Sequence, residues 1–284
     1  MVVLVTGANG QLGQSIQFIA NQYPEIEFAF YSSTALDITN KEEINAVFLK
    51  IEPDFCINTA AYTAVDKAES EPEKAHLVNF IGPENLATIC KEYDTVLLHI
   101  STDFVFDGNA SKPYTEEDLP NPKSVYGHTK LEGEKAVQRI WKNHFIIRTS
   151  WVYSQFGNNF MKTMLRLGTE RESLSIVNDQ IGTPTHAVDL AEALVSIINQ
   201  QHAISNIYGI YNFSNEGSCS WYDFTKEIFK VNNITVNVFP IPTLDYPTPA
   251  KRPKYSVLDK SKIKATFRID IKHWQSRLIM NINI

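Results

Sequence analysis

Val2-Val-Leu-Val-Thr-Gly-Ala-Asn-Gly-Gln-Leu-Gly13 opens the chain. An unbroken apolar run that ends in glycine reads as a buried strand. Glycines then follow at 7, 10 and 13, and Leu12, Ile16, Ile19 and Ala20 recur with helical spacing over 11–22. Strand, glycine loop and helix in immediate succession make a dinucleotide-binding turn. The missing side chains allow a tight bend and a close approach to a pyrophosphate, and the helix N-terminus offers free N–H groups and a partial positive charge. Glycine is also the default residue of an ordinary turn. Gly7 and Gly10 therefore carry weight because of the strand before them and the helix after them.

The same alternation continues outward from this unit. Strands are expected at 26–31, 54–59, 95–100 and 145–150, and helices at 41–50, 70–93 and 124–142. Asn40, with Glu43 three residues on, marks the start of the second helix. Alternating strands and helices imply parallel βαβ units and an α/β fold, a Rossmann-type doubly wound parallel sheet that binds ligands at its carboxyl edge. After residue 150 the pattern loosens. Helices are expected at 158–169, 187–199 and 220–231, short strands near 174–178 and 208–213, and extended chain over the proline-rich 240–256. The expectation is a dinucleotide-binding core over 1–150 and a smaller C-terminal substrate-binding lobe over 151–284, with segments returning to the core.

Bulk properties narrow the function. The 284 residues are 43% hydrophobic and 20% charged, as in ordinary globular proteins. No stretch approaches the roughly 20 apolar residues that span a bilayer, and the first residues lack the basic leader of a signal peptide. A net charge of −6 argues against a nucleic-acid surface, which wants a basic stripe. Three widely spaced cysteines fit neither a disulfide framework nor a CxxC pair, and the seven histidines lack metal-ligand spacing. These features point to a cytoplasmic protein with no membrane or nucleic-acid partner and no metal in its chemistry.

Tyr126-Gly-His-Thr-Lys130 is a YxxxK at the start of a helix, and residues four apart share a helical face. A lysine ammonium beside a phenol favours the phenolate and brings its proton within reach of neutral pH. Lys130 can also bond a nicotinamide ribose. The commoner reading of such a pair is a packed tyrosine and a solvated lysine. Ser101-Thr102-Asp103 changes the balance, because it follows the fourth strand directly and puts hydroxyls on the same rim as the glycine loop. Thr102 could then share a substrate oxygen with Tyr126. The second strand ends Phe30-Tyr31-Ser32-Ser33-Thr34, with neither an acid for a ribose 2′-hydroxyl nor an arginine for a 2′-phosphate. The cofactor is thus NADPH or NADH, with a lean to NADPH. Asp37 and Ile38 are placed to lie under the adenine, and His99 and His128 read as structural.

With these motifs in order, the chain resembles the extended short-chain dehydrogenase/reductases, and among them the dTDP-4-dehydrorhamnose reductase family. The matching segments are GANGQLG (7–13), NTAAYTAVDKAESEPEKAHLVN (58–79), STDFVFDG (101–108), SVYGHTKLEGEKA (124–136), IIRTSWVY (146–153), GNNFMKTMLRL (157–167), VNDQIGTPTHAVDLA (177–191) and YPTPAKRPKYSVLD (246–259). The resemblance implies reduction of the C4 keto group of a dTDP-4-dehydro sugar by NADPH or NADH, a step of nucleotide-sugar and polysaccharide synthesis. It makes Tyr126 the general acid, Lys130 its tuner and ribose ligand, and Thr102 and Asp103 sugar contacts. It sets Gly10, Gln11, Leu12, Asp37, Ile38, Ala61, Tyr62 and Thr63 along the cofactor, Asn79 near the nicotinamide, and Trp151 over the sugar or base. Other sugar-nucleotide reductases or epimerases, and a regulatory subunit of methionine adenosyltransferase, share the pattern. Two positions depart from it. Phe104 replaces a frequent tyrosine. Ser15 stands where relatives bridged by magnesium carry an interface glutamate, which implies a monomer or weak homodimer.

Several residues carry a second reading. Trp151 is either a core tryptophan or a ligand wall. Arg252 is either an exposed ion-pair partner or a diphosphate contact. Asn158 and Asn159 bind nucleotide or cap the next helix. Asp66, Lys67 and Glu69 read as a solvated helix face, and Thr183-Pro184-Thr185 as the entrance to the substrate lobe.

Overall fold

The computed structural model describes residues 1–201 and 207–278. Strands β1 (Val2–Thr6), β2 (Glu27–Tyr31), β3 (Phe55–Asn58), β4 (Val96–Thr102) and β5 (His144–Thr149) join strand Gly209–Asn212 in one sheet. Its order is β2, β1, β3, β4, β5 and then Gly209–Asn212, and every neighbouring pair is parallel. The chain steps outward from β1 to β2, then crosses back to β3. This reversal opens a crevice at the carboxyl ends of β1 and β3.

The strands are apolar on both sides because both faces are covered. Val3 and Val5, Phe55 and Ile57, Val96 and Leu98, and Phe145 and Ile147 enter one core with Ile16, Ile19 and Leu194. The intervening Leu4, Cys56, Leu97 and Ile146 enter the opposite core with Ile44, Phe48 and Leu86. Each such side chain contributes about 1.5–3 kcal/mol by leaving water. Helices Gln11–Ala20 and Ala187–Gln200 cover the first face. Helices Lys41–Ile51, Gly82–Glu92 and Val125–Ile140 cover the second. Thus Ala187–Gln200 and Gly209–Asn212, from the second half of the chain, pack in the sheet layer. A third core, with Tyr153, Met161, Phe224, Ile228 and Trp274, belongs to the lobe built on helices Phe160–Glu170, Trp221–Val231 and Trp274–Leu278.

The helix expected over 70–93 is not regular. A short helix Val65–Ala68 precedes Pro72–His76, which passes through a π-turn at Leu77–Ile81 into Gly82–Glu92. Pro83 is the cause. It has no N–H for the carbonyl four residues back, which is that of Asn79. That carbonyl instead points at Gly133 of helix Val125–Ile140, where any Cβ would collide with it. The segment expected to be extended over 240–256 begins inside strand Asn237–Ile241, which pairs in parallel with Ser173–Val177, and then makes a 3-10 turn at Thr243–Asp245. Helices Ser261–Phe267 and Trp274–Leu278 follow and are not among the expected elements.

Candidate active site

A cleft of about 1230 Å³ lies at the carboxyl edge of the sheet, roofed by the lobe. Of the cofactor candidates, Gly10, Gln11, Leu12, Ala61 and Thr63 line it. The glycines divide the work. Gly7 takes φ +68°, and a Cβ there would sit 2.6 Å from Ala60 N, so it serves the turn and the contact with β3. A Cβ on Gly13 would sit 2.6 Å from Ala8 Cα, so Gly13 lets the helix close on the loop. Gly10 is exposed to the cleft and N-caps helix Gln11–Ala20 with no side chain of its own. The first turn holds no acidic residue, so its orphan N–H groups suit an anion.

Besides Gly7, four expected cofactor contacts are not part of the cleft lining. Asp37 is exposed, and its Oδ1 accepts from Thr39 N and Thr39 Oγ1. The Ile38 side chain is core, packed over Gly82. Tyr62 turns its hydroxyl to Glu71 Oε2 at 2.9 Å. Asn79 is buried and its amide is spent. Oδ1 accepts from Tyr62 N at 2.8 Å, while Nδ2 donates to Tyr62 O and Thr129 Oγ1. Asn79 thus braces the loop that carries Ala61 and Thr63.

Thr102 ends β4, and Tyr126 and Lys130 come from helix Val125–Ile140; all three are buried in the cleft wall. Ser124 N-caps that helix by accepting from Gly127 N at 3.1 Å. Glu69 Oε1 accepts from Val125 N at 2.8 Å, so Glu69 secures the catalytic helix instead of merely facing solvent. A buried ion pair lies one turn further on. Arg148 donates to Glu134 Oε1 and Oε2 at 3.0 and 2.7 Å, and Ser101 Oγ donates to Glu134 Oε1 at 2.5 Å. Removing one partner of such a pair costs about 3–5 kcal/mol, so the helix is pinned to β4 and β5.

Burial pushes the Tyr126 phenol up to about 12, with the Thr102 hydroxyl pulling the other way. Burial lowers Lys130 to about 8, opposed by the charge of Glu134. Lys130 Nζ donates to Ile100 O at 2.6 Å. Asp103 is buried beside them and accepts from Thr102 Oγ1 at 3.0 Å; burial holds its carboxyl up at about 6. Near neutral pH the Tyr126 phenol is protonated, and the Thr102 hydroxyl, whose proton is held by Asp103 Oδ1, lines the same cleft; a protonated phenol there suits protonation of an oxygen that gains charge.

The lobe supplies the other wall. Trp151, at φ +47°, is left-handed, a conformation costing an L-residue roughly 1–2 kcal/mol. Its indole stacks on Trp221 with ring centres 3.4 Å apart and lies against Gly182. Thr183-Pro184-Thr185 does not line the cleft. It is buried behind Trp151, where Thr185 N donates to Trp151 O at 3.2 Å. Asn159 does cap helix Phe160–Glu170, accepting from Lys162 N at 3.0 Å, and also lines the cleft. Arg252 reaches the cleft mouth, paired with Asp66 at 2.5 Å. Asp66 is therefore no idle surface charge. Among the described residues no group of three or more His, Cys, Asp or Glu is placed to hold a metal, and no helix is long and apolar enough to cross a membrane.

A family model described as "RmlD substrate binding domain" matches residues 1–283. The dTDP-4-dehydrorhamnose reductase of Aggregatibacter actinomycetemcomitans is 42% identical over 99% of this chain and 97% of its own. The chain belongs to the dTDP-4-dehydrorhamnose reductase family. Two solved structures agree with that membership. The family member from Clostridium acetobutylicum superposes with a TM-score of 0.94 at 44% identity, covering 100% of this chain and 99% of that one. The member from Bacillus anthracis, solved in complex with NADP, gives 0.93 at 41% identity over 98% and 96%.

Within this family frame, Ser15 needs correction as an interface marker. It is fully buried, and its hydroxyl donates to Gln11 O at 2.8 Å, so it faces the core and says nothing about a partner. Phe104 packs edge-on against Tyr126 with ring centres 5.5 Å apart, an apolar support for the phenol ring. Trp221 lines the cleft unannounced by any motif, while Gln180 and Thr149 line it from within the segments 177–191 and 146–153 without being singled out there. Trp221 follows the helix cap Ser220, a position that reads as packing, and only the fold brings it to Trp151.

Proposed function

We propose that this protein is an NAD(P)H-dependent reductase of the C4 keto group of dTDP-4-dehydro-L-rhamnose, yielding dTDP-L-rhamnose. One observation carries the reading: Thr102, Tyr126 and Lys130 meet in the same cleft as a glycine loop open to an anion, in a chain aligned end to end with reductases of that name. The bound nicotinamide supplies the hydride. The protein does the rest. The N–H groups at Gln11, Leu12 and Gly13 take the diphosphate. Lys130 holds the ribose, and Tyr126 protonates the C4 oxygen while Thr102, turning its proton from Asp103, donates to it. Asp103 holds a sugar hydroxyl and Trp151 covers a sugar face. Arg252 exchanges Asp66 for the substrate diphosphate, for which a guanidinium is well shaped. All these groups come from one chain, so one protomer suffices.

The test follows absorbance of the reduced cofactor in the presence of ketosugar generated in place. Stoichiometric oxidation of NADPH or NADH is expected, with at most a tenfold preference, or about 1.4 kcal/mol, since neither an acid nor an arginine ends β2. A folded protein that oxidises neither would refute the reading.

A further inference from the structure

A polar chain runs through the buried layer beneath the cleft, from β1 across β3 and β4 to Lys130. Thr6 Oγ1 donates to Asn58 Oδ1 at 2.7 Å, and Ala60 N donates to the same oxygen at 3.2 Å. A backbone N–H can only donate, so the Asn58 amide has one orientation. Its Nδ2 therefore points away from Ala60 and donates to His99 Nδ1 at 3.0 Å. A ring nitrogen that accepts carries no proton, so His99 is neutral and bears its proton on Nε2. That Nε2–H faces Lys130 Nζ at 3.4 Å. An ammonium has donors only, and so a donor confronts a donor.

We propose that His99 is a positioning residue of the Tyr126–Lys130 pair: locked by Asn58 in its Nε2–H tautomer, it disfavours the Lys130 ammonium and eases its proton loss. The other neighbours of Lys130 do not cancel this. Ile100 O accepts one of its protons. Glu134, on the same helix, favours the charge but is itself neutralised by Arg148 from β5. Asp103 and Tyr126 share the cleft wall, and both bind protons more tightly than usual. Burial keeps His99 from charging, and the Lys130 charge works in the same direction. Burial already lowers Lys130 to about 8, and the facing Nε2–H acts in the same direction.

This inference rests on the reductase reading for its kinetic consequence, but its structural half is testable without turnover. Long-range ¹H–¹⁵N spectra of the histidine-labelled protein, with His99 assigned by a His99→Phe variant, report each ring nitrogen. The expectation is an unprotonated Nδ1 and a protonated Nε2 from pH 6 to 8. A proton on Nδ1 would overturn the proposal. Asn58→Asp replaces the Nδ2 donor by an acceptor, which pulls the ring proton to Nδ1 and leaves Nε2 to accept from Lys130. The pH at which NADPH binding weakens, read by its fluorescence, should then rise by about one unit, a tenfold change in acidity. Asn58→Leu adds no charge and should move it the same way. A folded variant whose tautomer switches while the binding profile stays fixed would also overturn the proposal. Loss of ketosugar reduction alone, with these shifts intact, would count against the reductase reading and not against this one.

Discussion

At Tyr126 the phenol is held at about 12, so it is a donor at every pH at which the protein works. Thr102 can share a proton but cannot release one. Tyr126→Phe should therefore lower kcat by about 10²–10⁴, the usual worth of a positioned acid, with cofactor binding retained. Thr102→Val should cost less, and Lys130→Met should lower kcat and weaken cofactor binding together. Steady-state kinetics of the three variants decide the order, and the reverse order for Tyr126 and Thr102 would displace the phenol as the acid. Asp103 offers a test through stability. Its carboxyl is raised from 3.8 to about 6, so the folded chain keeps a proton that the unfolded chain would release between those values. Stability accordingly falls as pH rises through that window, and above pH 6 the whole cost is in place. Asp103→Asn should raise Tm at pH 7.5, change it much less at pH 4, and still reduce turnover. An equal shift at both pH values would show that the carboxylate carries no such cost.

Among the elements, the catalytic helix is placed by its neighbours more than by its own preferences. Gly133 sits mid-helix, where alanine ordinarily gains about 1 kcal/mol over glycine. Here a Cβ would strike the Asn79 carbonyl, so Gly133→Ala should destabilise the protein and slow turnover. A urea midpoint at or above the original would show that the contact gives way without cost. Elements with an uninterrupted period were legible in the sequence: β1, β3 and β5 through their apolar runs, and helix Lys41–Ile51 through Asn40, whose Oδ1 accepts from Glu42 N and Glu43 N. The π-turn was hidden because Gly82-Pro83 perturbs the ladder without breaking the hydrophobic period. The short strands Val152–Tyr153 and Thr185–His186 were hidden because two residues cannot show alternation.

For the whole molecule, the proton-donor corner was legible because YxxxK and a strand-end hydroxyl are local patterns. The lobe wall was less so. Trp221 and Thr149, and the pairing of Arg252 with Asp66, are set by contacts between segments far apart in the chain, and no local spacing encodes them. Asp37, Ile38, Tyr62 and Asn79, set along the cofactor by family resemblance, send their side chains to a turn, the core, a surface acid and a backbone brace. In the proposed reaction, hydride leaves a bound reduced cofactor for C4 of the sugar and does not return. The most direct measurement supplies cofactor deuterated at the transferable position and follows the sugar by mass spectrometry. The expected product is heavier by one deuterium and forms mole for mole with oxidised cofactor. A product without the label, or one formed with no net oxidation as an epimerase would give, contradicts it.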